Sequence, residues 1–532
     1  MNSYTHSPNG IWSWLFTTDH KKIALLYLAS VTIFFIIASG AAALMRIELF
    51  TAYGGDIVSA DNYNRLFTIH GILMIFFFLV PVIPNVFGNF LLPIMLGAHD
   101  VAYPRLNLAT WYIFIIGGII TLWAILKGGV DTGWTFYAPY STFFSRSEVL
   151  LTGAGVFISG VSSILAGINF IATIHKERHP DMGIFKLPLF AWAIYAASII
   201  QVLGTPVLGT ALILIWLERF FSVGIFDPTL GGDPLLFQHL FWFYSHPAVY
   251  IMILPAMGVI SEIIPCFTRR RIFGYKFIAA ASLLIAVYGF LVWGHHMFVS
   301  GESSYSNFIF SFLSFLVAVP SAIKTFSWIG SLYRGKIYLK TPMLYALAFV
   351  FLFVIGGLTG IYVASLAFDV HVHDTYFIVA HFHYIMVGGT VTAFLGAMHF
   401  WWPKLTGKTY NENLGRFSAL IIFLGFNLTF FPQFILGYMG MPRRYYAYDE
   451  HFEFLNQLST YGLILLGIGY FFPMVYLGRS LFKGKPSGDN PWNATGLEWA
   501  TSSPPPEENF IRPIDSVPEA YDYSLLPDME TK

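Results

Sequence analysis

Two histidines, His381 and His383, lie two positions apart in the apolar stretch HVHDTYFIVAHFHYIM. Residues two apart on an α-helix differ by roughly 200° of rotation, so these imidazoles would leave nearly opposite faces. Neutral imidazole is a good ligand for iron and copper, and a histidine inside a bilayer is costly. The spacing therefore predicts that one helix ligates two different metal ions. The alternative is that neighbouring hydroxyl groups satisfy both histidines.

Four further histidines are predicted to lie at a similar depth, when positions are counted from the helix ends at about 1.5 Å per residue. They are His70 in RLFTIHGILMIFF, His246 in QHLFWFYSHPAVYIMILP, and His295 and His296 in VYGFLVWGHHMF. The last three would suit a copper ion that keeps an open position. Tyr250 follows His246 by four residues and so shares its helix face. We therefore expect a redox metal centre in the outer half of the membrane.

The composition indicates a polytopic membrane protein. The chain has 532 residues, of which 56% are hydrophobic, 18% aromatic and 11% charged, and its formal net charge is zero. Soluble domains carry about 25% charged residues. The balanced charge gives no reason to propose nucleic-acid binding. The single cysteine, Cys266, excludes an internal disulfide and any iron–sulfur or thiolate-copper site built from this chain alone.

Twelve apolar runs have the length expected of membrane-spanning helices. They are centred on residues 23–45, 67–96, 108–127, 150–174, 189–220, 235–266, 276–296, 307–333, 342–367, 377–402, 415–438 and 455–479. Lys and Arg are concentrated in the termini and the even-numbered loops, which predicts that both termini are cytoplasmic. The predicted fold is an all-α polytopic membrane protein, with a twelve-helix core over residues 1–482 and a Pro-rich cytoplasmic tail over residues 483–532.

Three cations have unusual predicted positions. Arg443 and Arg444 in GMPRRY lie on the outer side, where the charge rule leaves few cations. Arginine binds carboxylates bidentately, so this pair could anchor haem propionates or could be an ordinary surface pair.

The third cation, Lys324 in VPSAIKTFSW, is predicted to lie about 25 Å from the outer end of its helix. It could conduct protons or extend its ammonium group toward the membrane surface.

Nearly the whole chain resembles subunit I of the haem–copper oxygen reductases, specifically the cytochrome c oxidase branch. The motifs that carry the resemblance are TTDHKKIALLYL, HGILMIFFFLVPVIPNVFGNFLLPIMLGAHD, HPAVY, WGHHMF, AIKTFSW, GGLTGI, HDTYFIVAHFHY, GMPRRY and NPWNATGLEWATSSPPPEENF. The resemblance implies a catalytic subunit that reduces O2 to water with four electrons and couples this reaction to proton pumping.

The resemblance also assigns metal ligands. His70 and His383 would be the axial ligands of a low-spin haem, and His381 would be the proximal ligand of an oxygen-binding haem. His246, His295 and His296 would hold the copper ion called Cu-B. Both haems would be of the haem A type. The catalytic residues would be His246 and Tyr250, which would be covalently joined, with Tyr250 supplying an electron and a proton.

Two proton routes are implied as well. Lys324, Ser321 and Thr359 match the K-type route toward Tyr250. Asp100 matches the mouth of the D-type route, whose lining would be Asn89, Asn107, Ser162 and Ser163.

The segment YSHPAVY departs from the best-known family pattern. Many relatives have a proton-transferring glutamate at the position of Ala248. Here Tyr244 and Ser245 precede the histidine instead, and this form resembles a recognised subgroup in which hydroxyl groups replace the carboxylate. The alternative is that Tyr244 is an ordinary interface residue.

Further residues match family sites near the outer surface. His373 and Asp374 match a magnesium site at a subunit interface, and Glu48 could join a peripheral calcium or sodium site. Arg46 would contact the formyl group of the low-spin haem. Trp242 would lie between a partner subunit's copper centre and the haems, or would be an ordinary interface aromatic.

The resemblance implies partners. The cysteines of a two-copper centre are absent from this chain, so subunit II must supply that centre, and subunit III is expected alongside. The electron donor would be cytochrome c or a tethered cytochrome c domain. The expected location is a bacterial inner (cytoplasmic) membrane, where the chain contacts lipids.

Three alternatives stay open from the sequence. A quinol oxidase would share this core but often carries additional helices. A nitric oxide reductase would lack Tyr250 and Lys324. A twelve-helix secondary transporter would show inverted-repeat symmetry, which we do not find in the sequence.

Overall fold

The computed structural model describes residues 4, 10–512, 514, 516, 517, 519 and 521–523. The remaining positions of the predicted core and of the predicted tail lie outside the described residues.

The fold is a bundle of long helices. We number the principal helices α1 (His20–Glu48), α2 (Ala60–Leu96), α3 (Pro104–Leu126), α4 (Val149–Lys176), α5 (Leu189–Phe221), α6 (Pro234–Thr268), α7 (Tyr275–Gly289), α8 (Ser304–Leu332), α9 (Thr341–Ala364), α10 (Tyr376–Thr406), α11 (Glu412–Tyr438) and α12 (Glu450–Lys483). The described residues form no strand; isolated β-bridges join Thr375 to Pro442 and Lys408 to Pro486. The predicted all-helical membrane architecture is confirmed.

Eleven of the described helices are long and apolar enough to cross a membrane. The run predicted over 276–296 differs, because α7 has only 15 residues, or about 22 Å at 1.5 Å per residue. The chain then leaves the α-helix and forms a 3-10 turn, Trp293–Met297. The apolar run therefore contains a helix end that its composition does not reveal, and this turn carries His295 and His296.

Helix α6 is the centre of the bundle. Every residue from 251 to 268 is buried, as expected for a helix that is apolar on all its faces. Gly258 allows α5 to approach closely, since a Cβ added there would lie 2.8 Å from the Cβ of Ala193. By contrast, only 28% of the residues in the most apolar stretch of α8 are buried. The second half of α6 thus lies inside the protein, and His246 in its first half is buried as well.

Three π-helical segments interrupt the helices that carry the paired histidines. Helix α2 contains Ile75–Leu79 and Val82–Gly88 after His70, and α10 contains Met386–Val391 after His383. A π-turn inserts an extra residue and rotates the helix on one side of it relative to the other. These segments therefore set the direction of the histidines relative to the rest of each helix.

The segment after α12 packs against the bundle through buried lysines. Lys404 Nζ donates hydrogen bonds to the carbonyl oxygens of Asp489, Thr501 and Ser502 at 2.7–3.2 Å. Lys21 Nζ donates to Asn509 Oδ1 at 2.9 Å, and Asn509 Nδ2 donates to the carbonyl oxygen of Ala98. We call these contacts the tail clasp. They tie the described part of the tail to α1, α10 and the loop after α2.

Candidate metal centre

Three imidazoles meet between α6 and the turn after α7. The ring of His246 lies 4.4 Å from that of His295 and 5.3 Å from that of His296, and the latter two are 4.4 Å apart. One nitrogen of each ring lies within 4.8 Å of the others. Among the described residues this is the group of three or more metal-ligating side chains that could hold an ion. The donor set, three nitrogens, suits copper.

Neighbouring side chains fix the directions of these rings. Ser314 Oγ donates to the carbonyl oxygen of Phe310 and accepts from His295 Nδ1 at 2.7 Å, which leaves the His295 Nε2 lone pair free. Trp242 stacks on His296, with ring centroids 3.9 Å apart and an interplanar angle of 9°. Such contacts orient a ligand before an ion binds.

Tyr250 lies directly beside His246. Their ring centroids are 4.8 Å apart at an angle of 69°. Within the described part of the chain, the buried Nε2 of His246 has no hydrogen-bond partner, whereas its Nδ1 lies 3.1 Å from His296 Nε2. A Cβ on Gly289 would come within 2.8 Å of the Tyr250 ring. The small residue in α7 therefore makes room for Tyr250.

His70 and His383 face each other across a gap. Their rings are nearly parallel, at 14°, with centroids 6.4 Å apart. His70 Nδ1 donates to the carbonyl oxygen of Ala38 at 3.0 Å, and His383 Nδ1 donates to that of Val379 at 2.8 Å. Both Nε2 atoms are therefore left as acceptors. Two metal–nitrogen bonds of about 2 Å in line, plus the two ring radii, require roughly 6 Å between centroids. The pair fits the axial ligands of one haem iron.

His381 leaves the opposite side of α10, toward the three-imidazole cluster, and it is close enough to His246 and His295 to interact with them electrostatically. Its Nδ1 lies 3.2 Å from Thr359 Oγ1. That hydroxyl also donates to the carbonyl oxygen of Ile355, so it accepts from His381. The structure thus places Thr359 against His381, and no hydrogen bond joins it to Lys324 among the described residues.

The loop between α9 and α10 and the loop between α11 and α12 bring the predicted magnesium ligands and the two predicted arginines together. Arg443 contacts Asp374 Oδ1 through Nη2 at 2.5 Å and Nε at 2.7 Å. His373 Nε2 lies 3.9 Å from Asp374 Oδ2. Desolvation works against ionisation of Asp374, but the charges of Arg443 and His373 outweigh it and lower its pKa. Asp374 is therefore an anionic ligand candidate at neutral pH.

Arg444 is half-buried beside this loop. Its guanidinium lies over the Phe67 ring, 5.5 Å from the centroid, and a Cβ on Gly133 would come within 3.1 Å of it. Burial, together with the neighbouring Arg443, lowers the pKa of Arg444 to about 10, so the group still carries a charge at neutral pH. A half-buried cation of this kind is suited to binding a carboxylate.

Arg46 and Glu48 lie at the C-terminal end of α1. The Arg46 guanidinium donates to Asn456 and Thr460 of α12, while its buried Nε has no partner among the described residues. Glu48 is fully buried, and its carboxylate accepts the backbone N–H groups of Gly55, Ile57 and Val58. Glu48 therefore organises the loop between α1 and α2.

Lys324 is 1% exposed on α8. One turn toward the N-terminus, Ser321 Oγ donates to the carbonyl oxygen of Val317 at 3.4 Å. One turn toward the C-terminus, Trp328 Nε1 donates to Ser261 of α6 at 2.9 Å. Lys324 therefore lies on the face of α8 that packs against the bundle.

Asp100 lies in the loop after α2, and burial raises its pKa to about 7. Buried polar atoms of Asn89, Asn107 and Ser163 have no hydrogen-bond partner among the described residues. Ser162, by contrast, donates to the carbonyl oxygen of Thr110. Unpaired buried polar groups are unusual and commonly mark positions of bound water. The residues predicted for the D-type route therefore share this property, with Ser162 as the exception.

Tyr244 and Ser245 precede His246 on α6 and are each 2% exposed. The Ser245 hydroxyl has no hydrogen-bond partner among the described residues. The Tyr244 hydroxyl faces Thr205 of α5. Both hydroxyl groups therefore lie inside the bundle.

Comparison with known proteins decides the family. The family model for cytochrome c and quinol oxidase polypeptide I matches residues 22–465. This chain belongs to that family. Cytochrome c oxidase subunit 1 of Synechocystis is 46% identical over 511 residues, covering 96% of this chain and 92% of the relative. The Bacillus subtilis subunit of the same name is 42% identical, with coverage of 94% and 81%.

The fold of this oxidase family is also found in a chain from the cryo-EM structure of a heme-copper terminal oxidase dimer. That chain has a TM-score of 0.76 and is 22% identical, with 87% of our chain and 84% of the other covered. The predicted family and the predicted function, as the catalytic subunit of a cytochrome c oxidase, are therefore confirmed. The quinol oxidase and transporter alternatives are not favoured.

Membership in the oxidase family implies haem and copper as cofactors, and other subunits such as subunit II as partners. The apolar helices and the relatives identify a multi-pass membrane protein.

Sequence reasoning missed Ser314, Asn456 and Thr460, which orient His295 and Arg46. The residues around these three carry no chemical signal, because each acts on a side chain in another segment of the chain.

Proposed function

We propose that this chain binds two haems and one copper ion and reduces O2 while taking up protons from the cytoplasm. The observation that supports this proposal is the geometry of α10, which presents His383 to His70 and His381 to the cluster of His246, His295 and His296. When bound, haem iron and copper supply one-electron transfer and oxygen binding.

The side chains of this chain define the roles around these groups. His70 and His383 would hold the low-spin haem, and His381 the second haem. Tyr250, beside the orphan nitrogen of His246, would donate a proton and an electron to oxygen. Trp242, stacked on His296, would provide a conjugated contact toward the outer surface.

Several outer-surface residues would bind the periphery of the cofactors. Arg443 and Arg444 would hold haem propionates, and the unused Arg46 Nε would donate to an oxygen of the low-spin haem; both haems would be of the haem A type. His373 and Asp374 would bind magnesium. A calcium or sodium ion near Glu48 would have to share its carboxylate with the three amides that already bind it.

We further propose two proton routes. Lys324 and Ser321 would conduct protons toward Tyr250, whereas Thr359 would instead orient His381 through their 3.2 Å contact. Asp100 would take up protons for a second route that ends at Tyr244 and Ser245. The buried polar atoms of Asn89, Asn107, Ser163 and Ser245 that have no partner among the described residues support this second route.

In the complete oxidase, α7 would also cross the membrane, which would bring the number of spans from eleven to twelve. Both termini would face the cytoplasm of a bacterium, as the distribution of Lys and Arg indicates. Subunit II would deliver electrons from cytochrome c or a tethered cytochrome c domain, since this chain has one cysteine. Subunit III would pack alongside.

The test is a reduced-minus-oxidised and CO-difference spectrum of the purified complex, with metal analysis. We expect two haems, one of which binds CO, and one copper ion in this subunit. Tyr250→Phe should abolish oxygen consumption while both haems stay bound, because the hydroxyl is lost and the ring remains. As a matched control, Tyr305→Phe changes a residue that is 76% exposed and should leave turnover unchanged. Near-normal turnover of Tyr250→Phe would refute its role.

A further inference from the structure

Helix α5 presents two buried polar side chains to the interior of the bundle. Gln201 is 1% exposed and Thr205 is 3% exposed. Gln201 Oε1 and Thr205 Oγ1 have no hydrogen-bond partner in the described part of the protein. Leaving such a group unpaired in the interior is unfavourable. Because they are four residues apart, the two side chains share one face of α5.

This face of α5 packs on the face of α4 that carries Ser163. A Cβ on Gly160 would lie 3.1 Å from the Thr205 methyl carbon, and a Cβ on Gly167 would lie 3.3 Å from the Gln201 Cβ. Ser163 is three residues after Gly160 and four before Gly167, so it lies on the same side of α4. Its hydroxyl is also without a partner. Three unpaired polar groups are thus brought together where α4 and α5 meet.

On its other side, Thr205 faces α6. The Tyr244 hydroxyl points at the Thr205 hydroxyl without closing a hydrogen bond to it. A Cβ on Gly204 would lie 3.5 Å from the Tyr244 ring, so the helices are close at this level. Ser245, next to Tyr244, has an unpaired hydroxyl as well. The polar groups therefore continue from α4 across α5 to the residue before the copper-ligating His246.

We propose that Gln201 and Thr205 carry the proton route from Ser163 to Tyr244, the amide ordering water and the Thr205 hydroxyl accepting one proton as it donates another. This inference rests on the proposed route from Asp100. Each passage moves one proton, and hence one positive charge, from Ser163 to Tyr244; no electron is transferred, and each hydroxyl returns to its neutral form. Both residues act through the water and hydroxyl groups they position, not by contact with oxygen.

The test uses the full oxidase complex in lipid vesicles, with Gln201→Leu, Thr205→Val and the double variant. The control is Thr210→Val, the same substitution on the same helix at an exposed residue whose hydroxyl bonds only within α5. Haem content and the CO spectrum should be unchanged in all four. Proton uptake during a single turnover, followed with a pH dye, should slow at least tenfold in the double variant. Proton uptake by the double variant should slow further as the pH rises, whereas the rate of uptake by Thr210→Val should match that of the parent.

Asp100→Asn, measured in parallel, separates two kinds of failure. If Asp100→Asn slows uptake while the double variant takes up protons at the parental rate, the inference about α5 is overturned and the route from Asp100 stands. If Asp100→Asn has no effect, the proposed route itself fails. Should Thr205→Val lose its haems, Thr205→Ala and Thr205→Ser are compared; uptake must be slow in the first and near normal in the second, and equal rates would overturn the inference.

Discussion

Four of the six candidate ligand imidazoles have their Nδ1 held by an acceptor from the protein. The acceptors are backbone carbonyls for His70 and His383, and hydroxyl oxygens for His381 and His295. An acceptor at Nδ1 requires the proton there and frees the lone pair of Nε2 for a metal. The tautomer of each ring is therefore set before any ion binds.

Ser314 gives a test at the level of one hydroxyl. In Ser314→Ala, His295 loses the acceptor for Nδ1, and we expect copper affinity to fall by about 10–100-fold. Copper per haem, measured after dialysis against a chelator, reports the change. Ser311→Ala is the matched control, because Ser311 lies on the same helix and bonds to the carbonyl oxygen of Ala364. Equal copper retention in the two variants would contradict the role of Ser314.

Asp100 predicts a pH dependence. Burial raises the pKa of Asp100 to about 7, so the carboxyl holds a proton below pH 7 and releases it above. If Asp100 supplies the protons, the rate of proton uptake should fall as the pH rises through about 7. This step should vanish in Asp100→Asn and persist in Asp181→Asn, which changes an exposed loop residue. A step near pH 7 that survives in Asp100→Asn would assign it to another group.

At the scale of elements, the π-helical segment of α10 decides where its histidines point. Because Met386–Val391 contains an inserted residue, removing one residue there should rotate His383 by about 100° relative to the helix that follows. Deletion of Gly388 should therefore abolish haem binding. Deletion of Gly183, in the loop between α4 and α5, should leave it intact. Pyridine haemochrome spectra give the haem content; full haem content after the Gly388 deletion would show that the segment is dispensable.

The sequence predicts the helices better than their irregularities. Apolar runs locate eleven long helices, and the two-residue spacing predicts the opposite directions of His381 and His383. The π-segments and the early end of α7 are not visible, since the same apolar residues suit an α-helix, a π-turn or a 3-10 turn. The contacts of Ser314 and Gln201 could not be predicted either, because they depend on which helices become neighbours.

At the scale of the whole molecule, the tail clasp holds the segment after α12 against the bundle. Lys404 is fully buried, and its ammonium group donates to three tail carbonyls and lies 5.2 Å from the Trp499 ring centroid. Hydrogen bonds from a charged donor contribute about 1.5–3 kcal/mol each when they are lost from a buried site. The clasp is therefore a substantial part of the stability of this surface.

Lys404→Met should lower the unfolding temperature of the purified complex and expose the tail to protease. The methionine fills the space of the stem but leaves the carbonyls of Asp489, Thr501 and Ser502 without their donor. Lys485→Met, at an exposed position near the same surface, should change neither property. Thermal unfolding followed by the haem absorbance, with limited proteolysis, distinguishes the two; identical behaviour would mean that Lys404 does not hold the tail.

The tail clasp also depends on the order in which the chain is made. Lys21 begins α1 and Lys404 lies near the end of α10, whereas the groups that cover them belong to the segment after α12. Synthesis runs from the N-terminus to the C-terminus, so both lysines exist before the groups that bury them. The clasp can therefore close only when all twelve principal helices have been made.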